Sequence, residues 1–270
     1  MVLVNGLQTD LLNVHDRGLA YGDGVFRTLR MSRGKALCWQ RHYQKLHADC
    51  RVLGLSCPSN SVLCKELDII AAVNPECVLK IIVTRGSGPR GYRVTDEMQP
   101  TRIIVTNPLP DYPSSYYEQG VKLHVCDLRL SLQPRFAGIK HLNRLENVMA
   151  RREWDDASIA EGLLLDREGY VIGGIMTNLF MLNGNELWTP DLTRCGVAGV
   201  QRKRVLEQAA VSGIPCAERY ILLEQVLQAD EIFLTNSVIN VWQVREIEQK
   251  RWEKGAFTPK VRQWLNEPCD

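Results

Sequence analysis

A run of prolines and polar residues near the middle of the chain most constrains the fold, because it separates two segments that each carry strands and helices. The run covers residues 107–115 (NPLPDYPSS), and this composition is typical of the linkers that join compact domains. Apolar extended runs and segments of helical periodicity occur on both sides of it. The sequence therefore predicts one domain over residues 1–106, a linker over 107–119 and a second domain over 120–270.

The composition is that of an ordinary globular protein and argues against several classes of function. The 33 basic and 31 acidic residues give a net charge of +2, and their interspersion leaves no basic patch for nucleic acid or a membrane surface. No run approaches membrane-spanning length, and the N-terminus is too short in apolar residues for a signal peptide. The nine cysteines are scattered, with no C-x-x-C pair, which argues against a disulfide framework and a structural zinc site. We therefore expect a soluble, cytoplasmic protein that binds no metal, nucleic acid or membrane.

Turn signals and periodicity indicate most of the regular elements. Asn5-Gly6 predicts the tight turn of an opening β-hairpin, since both residue types tolerate positive φ. Extended apolar runs predict strands, and a 3.6-residue period predicts helices. The predicted strands cover residues 25–31, 77–84, 101–106, 120–127, 161–166 and 170–174, and the predicted helices cover residues 40–53, 62–73, the segment around 200–210 and the C-terminus.

The strongest candidate for a reactive group lies in residues 138–147 (GIKHLNRLEN). Apolar residues recur at helical spacing from Leu142 to Met149, which predicts that Lys140 lies where a helix begins. Between Ile139 and Leu142 its amine would be partly desolvated, and burial lowers the pKa of a lysine and favours the neutral, nucleophilic form. Most lysines are solvated surface charges, so Lys140 alone is a weak candidate and needs support from its neighbours.

The neighbouring residues give that support through a resemblance. The run I-K-H-L-N-R-L-E resembles the lysine segment of the pyridoxal-phosphate enzymes of fold type IV, and in particular of the 4-amino-4-deoxychorismate lyases. The resemblance implies an α/β or α+β fold, with a smaller N-terminal α/β domain, a larger C-terminal domain and pyridoxal 5'-phosphate between them. It also implies that Lys140 carries the cofactor covalently and is the catalytic base, and that the protein is a homodimer.

A second match lies near the N-terminus. Residues 16–26 (DRGLAYGDGVF) are similar to the D-R-x-x-x-x-G-D-G-x-F segment of the same enzymes. In the lyases, a threonine at the position of Thr28 is a candidate proton donor near the substrate. Arg27 stands where the aminotransferase relatives usually have glutamate, so its charge would suit a dicarboxylate substrate; a strand arginine that points to solvent is the alternative.

Two further segments of the first half resemble binding elements of the family. Residues 41–46 (RHYQKL) are similar to H-x-x-R-L, whose arginine contacts the cofactor phosphate. Lys45 replaces that arginine, which keeps the charge but loses the bidentate fork. Residues 85–92 (RGSGPRGY) resemble a loop that binds the substrate carboxylate, so the resemblance implies that Arg90 and Tyr92 contact the substrate, with Arg90 acting in the partner's site.

The second half carries the remaining cofactor contacts. A glycine before a helix exposes amides that favour a phosphate, and residues 196–202 (GVAGVQR) resemble the family's phosphate turn, so this role is assigned to the amides of Val200 and Gln201. Residues 228–237 (QADEIFLTNS) resemble the family's A-D-E strand and turn. That match implies a phosphate contact for Ser237 and a turn-shaping role for Asn236.

One position departs from the family. Fold type IV enzymes place a glutamate five residues before the asparagine of N-L-F, where it keeps the pyridine nitrogen of the cofactor protonated. In this chain Asn178 begins the N-L-F run and the matching residue is Gly173. Either another donor serves, or the carbanion is stabilised mainly through the imine, or activity is reduced.

Three functions remain open at this point. The favoured one is a lyase that converts 4-amino-4-deoxychorismate to 4-aminobenzoate and pyruvate, because His141 and Arg144 belong to the lyase version of the motif; Arg144 would contact the substrate. The first alternative is a D-amino-acid or branched-chain aminotransferase on the same fold. The second is a pyridoxal-phosphate-binding protein with little turnover, which Gly173 and Lys45 suggest.

Overall fold

The structure is a computed structural model that describes residues 1–95 and 97–269. The chain forms two compact units. The first contains Met1–Pro110, Ile139–Asn143 and Cys269, and the second contains Asp111–Gly138 and Arg144–Pro268. The sequence did not indicate that residues 139–143 belong to the first unit, and the predicted domain limits stay a prediction.

The first unit contains one sheet and three helices among its described residues. Its elements are β1 (Val2–Val4), β2 (Leu7–Gln8), α1 (Arg17–Tyr21), β3 (Gly24–Ser32), β4 (Lys35–Ala36), α2 (Trp39–Val52), α3 (Asn60–Val73), β5 (Cys77–Thr84) and β6 (Thr101–Asn107). The strands form an antiparallel sheet in the order β2-β1-β6-β5-β3-β4. Asn5 and Gly6 both have positive φ in the β1–β2 turn, which confirms the opening hairpin.

Strand β3 shows why this sheet has two different faces. Buried and half-buried residues alternate along it from Val25 to Ser32, as expected when successive side chains point to opposite faces. The buried side of the unit packs into one apolar cluster that includes Leu29 from β3, Leu46 from α2 and Ile70 from α3. The other face of β3 carries the half-buried side chains and remains available for a site.

The second unit is larger and is built on a mixed sheet. Its elements are α4 (Ser115–Glu118), β7 (Val121–Leu130), α5 (Leu145–Arg151), β8 (Ile159–Asp166), β9 (Val171–Gly174), β10 (Asn178–Asn183), β11 (Glu186–Pro190), α6 (Val200–Val211), β12 (Cys216–Arg219), α7 (Leu223–Leu227), β13 (Glu231–Asn236), β14 (Asn240–Ile247), β15 (Lys250–Arg251) and α8 (Phe257–Asn266). The strand order is β12-β11-β10-β13-β14-β7-β8-β9, with β15 beside β14. Strands β7 and β8 are parallel to each other, and β7 is also parallel to β14.

Apolar side chains cover both faces of this sheet. Leu179, Ile232 and Trp242 belong to one buried cluster, whereas Phe180 and Phe233 belong to another that includes residues of α6 and α8. Neighbouring residues of β10 and β13 therefore contribute to different clusters, because their side chains alternate between the faces. Among the described residues, no helix is long and apolar enough to cross a membrane.

Two expectations are wrong in detail. The helix after the lysine segment begins at Leu145, not at Lys140. Its apolar residues Leu145, Val148 and Met149 are exposed, so their spacing does not mark a core-facing helix. The structure also contains a disulfide between Cys38 and Cys269. Those residues are 231 positions apart, so no local spacing could have indicated the pair.

Candidate active site

The main chain of Lys140 is fixed on both sides within the first unit. Its carbonyl oxygen accepts a hydrogen bond of 2.9 Å from the Phe26 amide, and its own amide donates to Oδ2 of Asp49 at 3.2 Å. Two residues later, the Leu142 amide donates to the Gly24 carbonyl at 3.0 Å. Residues 140–142 therefore lie alongside β3 in extended form, which gives Lys140 a defined starting point for its side chain.

The Lys140 side chain extends over the open face of the first sheet. Residue Lys140 is half-buried, as expected, and its Nζ lies 4.6 Å from the centre of the Phe26 ring. Thr28 lies two residues along β3 from Phe26 and therefore on the same face. Lys80 pairs with Thr28 across β3 and β5, and its Nζ lies 5.0 Å from the same ring. Two amines and a hydroxyl thus share one face, and the sequence analysis missed Phe26 and Lys80 although strand alternation places both there.

The Arg27 side chain lies on the opposite face of β3. It is 3% exposed, its guanidinium lies 3.5 Å from Oδ2 of Asp49, and its Nε donates to the Phe26 carbonyl at 2.9 Å. Burial lowers the pKa of Arg27, and the Asp49 carboxylate opposes that shift. Arg27 is therefore not a solvated strand arginine but a buried partner of α2, and its contact with the substrate stays a prediction.

Lys45 also reaches Asp49. Its Nζ forms a short ion pair with Oδ1 of Asp49, one helical turn further along α2, and its side chain is 24% exposed. Burial lowers the pKa of Lys45, and the carboxylate opposes the shift. On the same helix His42 is buried, and burial together with the charge of Arg27 lowers the pKa of its imidazole to about 3, so it is neutral at neutral pH.

The loop that carries Arg90 and Tyr92 is on the surface of the first unit. Arg90 is exposed, and Tyr92 is 84% exposed. The loop is anchored by its backbone, because Arg17 donates to the Gly91 carbonyl at 2.7 Å and the Gly91 amide donates to the Tyr21 hydroxyl at 3.3 Å. The side chains of Arg90 and Tyr92 therefore point to solvent from a loop whose backbone is fixed by hydrogen bonds.

In the second unit, one asparagine organises the predicted phosphate turn. The Asn178 Oδ1 accepts from the Gly199 amide at 3.1 Å, and its Nδ2 donates to the Val197 carbonyl at 2.8 Å. A Cβ on Gly199 would lie 2.4 Å from that Oδ1, so this approach requires glycine. Helix α6 begins directly afterwards, and the amides of Val200 and Gln201 lie in its first turn, where an anion is favoured.

The turn after β13 is shaped by Asn236. Its Oδ1 accepts from the amides of Val238 and Ile239 at 2.7 and 2.9 Å, while its Nδ2 donates to the Met176 carbonyl at 3.2 Å. These bonds use both polar atoms of the side chain, which fits a turn-shaping role and leaves little capacity for a direct cofactor contact. Ser237 is half-buried within that turn.

Gly173 has no room for a glutamate. Its φ is +150°, and an added Cβ would lie 2.9 Å from the Thr177 carbonyl oxygen. Because a side chain is strained at that φ, the glycine is built into this backbone path. The departure from the family is therefore structural and extends beyond one side chain.

Glu161 is a buried carboxylate that accepts hydrogen bonds from the turn after Gly173, and no pattern in the sequence indicated it. It is 2% exposed and accepts hydrogen bonds from the amides of Gly162 and Met176 at 3.0 and 3.1 Å and from the Thr177 hydroxyl at 3.1 Å. Burial raises the pKa of Glu161 to about 7, and these hydrogen bonds oppose the shift. The carboxylate therefore holds the turn between β9 and β10 without an ion-pair partner among the residues described.

Arg144 lies at the N-terminal end of α5. Its Nη1 is 3.5 Å from Oδ1 of Asn147, and burial lowers the pKa of its guanidinium, with the Glu146 carboxylate opposing the shift. Among the described residues no group of three or more His, Cys, Asp or Glu side chains could hold a metal ion. The structure thus brings Lys140, Arg27 and Lys45 together around Asp49, and places the Asn178 turn and Glu161 in the second unit.

Comparison with known proteins decides the family. The model of the class IV amino-transferase family matches residues 24–247. This chain belongs to the class IV aminotransferase family. The matched range begins at Gly24, whose carbonyl accepts from the Leu142 amide, and includes Lys140, Gly173 and Asn178. The match therefore covers the candidate residues of each unit.

Three relatives show how the similarity is distributed within the class IV family. The aminodeoxychorismate lyase of Vibrio harveyi is 35% identical over 243 residues, which is 89% of each chain. The crystal structure of 4-amino-4-deoxychorismate lyase from Pseudomonas aeruginosa is 44% identical, covers 98% of both chains and has a TM-score of 0.94. A hypothetical aminotransferase from Mycobacterium tuberculosis, in a PLP-bound form, is 21% identical over 98% of this chain and 97% of its own, with a TM-score of 0.83. That last likeness shows the fold alone.

Proposed function

We propose that this chain is a pyridoxal-phosphate-dependent lyase that converts 4-amino-4-deoxychorismate to 4-aminobenzoate and pyruvate. The observation that carries the proposal is the Lys140 segment, whose backbone is fixed by Phe26 and Asp49 and whose amine lies over the open face of β3. The 44% identity to a lyase over 98% of both chains supports the substrate. The aminotransferase likeness at 21% identity supports only the shared fold.

The residues fit pyridoxal 5'-phosphate, the cofactor of the class IV family, at two of its three recognition points. Lys140 offers a half-buried amine with a fixed main chain. The Asn178–Gly199 turn leads into the first amides of α6 and leaves no space for a side chain, as a phosphate cradle requires. The pyridine nitrogen is the third point, and Gly173 supplies no carboxylate there.

The proposed roles follow from these positions. When bound, the cofactor supplies an electron-withdrawing ring that takes up the negative charge left on a substrate carbon. Lys140 Nζ would hold the cofactor and, with substrate bound, would accept a proton from the carbon that bears the substrate nitrogen. Thr28 Oγ1, on the same face, gives a proton to the departing enolpyruvyl group. The amides of Val200 and Gln201, Ser237 and Lys45 bind the phosphate, and Asn236 shapes its turn.

Substrate recognition is assigned to residues outside the Asp49 cluster. Arg90, Tyr92 and Arg144 are proposed to bind the carboxylates of the dicarboxylate substrate, because paired guanidinium donors match carboxylate geometry. For Arg27, which is buried, a contact with the substrate stays a prediction. The exposed position of Arg90 supports a contact with the site of a partner subunit.

We further propose a homodimer that works in the cytoplasm. Leu145, Val148 and Met149 expose 72%, 55% and 44% of their surface on α5, and a second copy that covers them would remove an apolar patch from water. Among the described residues, one disulfide joins Cys38 and Cys269 and the other seven cysteines are free thiols. The predominance of free thiols supports a reducing compartment.

A product assay tests the proposed reaction. The full-length protein, loaded with pyridoxal 5'-phosphate and given 4-amino-4-deoxychorismate, is expected to form 4-aminobenzoate and pyruvate in equal amounts. Transfer of the amino group to 2-oxoglutarate without release of pyruvate would make it an aminotransferase. Cofactor binding with neither product would leave a binding protein.

Borohydride reduction of the loaded protein tests the attachment site separately. Peptide mass spectrometry is expected to find the cofactor mass on Lys140 and not on Lys65, an exposed lysine of α3. A reduced adduct at any other lysine, with Lys140 unmodified, would overturn the assignment of the site in the first unit.

A further inference from the structure

Asp49 is a buried carboxylate that contacts three separate parts of the first unit. It is 1% exposed. Its Oδ1 pairs with Lys45 on α2, and its Oδ2 lies 3.2 Å from the Lys140 amide and 3.5 Å from the guanidinium of Arg27 on β3. A helix, a strand and the lysine segment therefore meet at one carboxylate.

Two cations lie against the single carboxylate of Asp49. Arg27 and Lys45 bring two positive charges to one negative charge, and burial lowers the pKa of both cations. His42, the other titratable group on this face of α2, is neutral at neutral pH. Asp49 is thus the one negative group among these partners, and its charge offsets the repulsion that Arg27 and Lys45 would exert on a further cation nearby.

We propose that Asp49 is a positioning residue for Lys140, holding its main chain through the amide and setting the electrostatic potential at its amine. The inference rests on the proposed function, because that function makes Lys140 important. What is inferred is a property of the Lys140 amine. The alternative is that Asp49 only joins α2 to β3. The two roles predict different results for Asp49 variants. A packing role changes the stability of the protein and leaves the pH at which Lys140 titrates unchanged, whereas a positioning role changes that pH.

The charged groups around the Lys140 segment determine the direction of the effect. Lys45 and Asp49 of α2 lie beside its main chain together with Arg27, whose side chain is on the other face of β3, and Lys80 of β5 shares the Phe26 ring with the Lys140 amine. All of these except Asp49 are positive. Loss of the carboxylate charge therefore makes the potential more positive, which favours the neutral amine at lower pH.

The test measures the amine in full-length protein without cofactor, so it needs no turnover. Formaldehyde and cyanoborohydride methylate neutral amines, and peptide mass spectrometry across a pH series gives the midpoint for each lysine. Asp49→Asn is expected to lower the Lys140 midpoint by about one pH unit and to leave Lys65 unchanged. Asp49→Glu is expected to restore most of the wild-type midpoint.

Two further variants keep the proposal falsifiable if Asp49→Asn folds poorly. Lys45→Met removes a positive charge from a side chain that is partly exposed, and it is expected to raise the Lys140 midpoint. Glu66→Gln is the matched control, because Glu66 is a buried carboxylate of the same unit that pairs with Arg102 instead. This variant is expected to leave the Lys140 midpoint unchanged. An unchanged Lys140 midpoint in folded Asp49→Asn, or in Lys45→Met, would overturn the proposal even if the protein proved to be a lyase.

Discussion

Asp49 in the first unit and Glu161 in the second are both buried carboxylates beside proposed site residues, but their surroundings are opposite. Asp49 pairs with Arg27 and Lys45 and accepts from the Lys140 amide. Glu161 accepts only from neutral amides and a hydroxyl, and burial raises its pKa to about 7. A carboxylate paired with cations acts as a counter-ion, whereas one held by dipoles alone is close to protonation.

The difference indicates what each unit contributes. The first unit uses a carboxylate beside two cations to fix the main chain of a lysine. The second unit uses hydrogen bonds to Glu161 to fix a backbone turn. A neutral carboxyl and a charged carboxylate can both accept such bonds. The comparison can be tested by changes on either side, and four are expected to differ in size.

The largest effect is expected at the lysine that Asp49 supports. Lys140→Arg keeps a positive charge and similar length but removes the nucleophile and base, so product formation should fall by about 10³-fold or more. Lys65→Arg on α3 is the matched control and should retain wild-type activity. Initial rates of 4-aminobenzoate formation provide the measurement, and a loss of less than tenfold in Lys140→Arg would move the catalytic amine elsewhere.

The next effect concerns the stability of the first unit. Asp49→Ala leaves Arg27 buried without its carboxylate, and breaking such a pair costs about 3–5 kcal/mol. Urea unfolding at neutral pH measures the loss. Asp49→Ala combined with Arg27→Met should recover much of it, since the buried guanidinium is then removed together with its carboxylate. A double variant no more stable than the single one would contradict the counter-ion role.

A pH effect of about 3 kcal/mol is expected in the second unit. The folded protein binds a proton at Glu161 below a pKa of about 7, whereas the unfolded chain binds it only below 4.5. Between these values the folded state holds the additional proton, so this contribution to stability is full below pH 4.5 and is lost as the pH rises through 7.

Unfolding free energies of the wild type and Glu161→Gln at about pH 5 and pH 8 isolate this contribution. The wild type should lose stability on going to the higher pH relative to the variant, because glutamine does not titrate. An equal pH dependence in the two proteins would show that Glu161 is as ionised in the folded state as in the unfolded chain, and the contrast with Asp49 would disappear.

The smallest effect is expected at the Asn178–Gly199 turn, which is proposed to bind the cofactor phosphate. Asn178→Ala removes two hydrogen bonds to the backbone of Val197 and Gly199, which should cost about 1–2 kcal/mol and weaken binding of pyridoxal 5'-phosphate about tenfold. Equilibrium titration provides the affinity, and Asn183→Ala at the exposed end of the same strand is the control. Pyridoxal, which lacks the phosphate, should lose less affinity; an equal loss for both ligands would place the effect outside the phosphate turn.

Local patterns in the sequence predicted most elements, and they singled out Lys140, whose reactivity stays a prediction. Strand β5 covers the predicted residues 77–84, because a continuous apolar run between turn residues determines its own extent. The Asn5-Gly6 hairpin and the glycine before α6 are likewise local, since a specific backbone angle or approach demands those residues. Membership of the class IV family followed from motifs of the same kind.

Contacts between distant residues were not predictable in this way. Asp49 and Lys140 are 91 positions apart, and nothing in α2 alone indicates which residue its acidic side chain will meet. The orientation of Arg27 depends on which face of β3 packs on that helix, and a single arginine among alternating residues does not settle this. The exposed apolar residues of α5 misled the helix assignment because their spacing resembles that of a buried face.

The return of residues 139–143 to the first unit has a consequence for how the protein can be divided. The polypeptide leaves that unit at Pro110, donates five residues to it and then leaves again at Arg144. A fragment that stops at Pro110 would lose the short segment that satisfies the Phe26 amide and the Gly24 carbonyl. Gene fusions or split versions of this enzyme would therefore have to keep that pentapeptide together with the residues it joins.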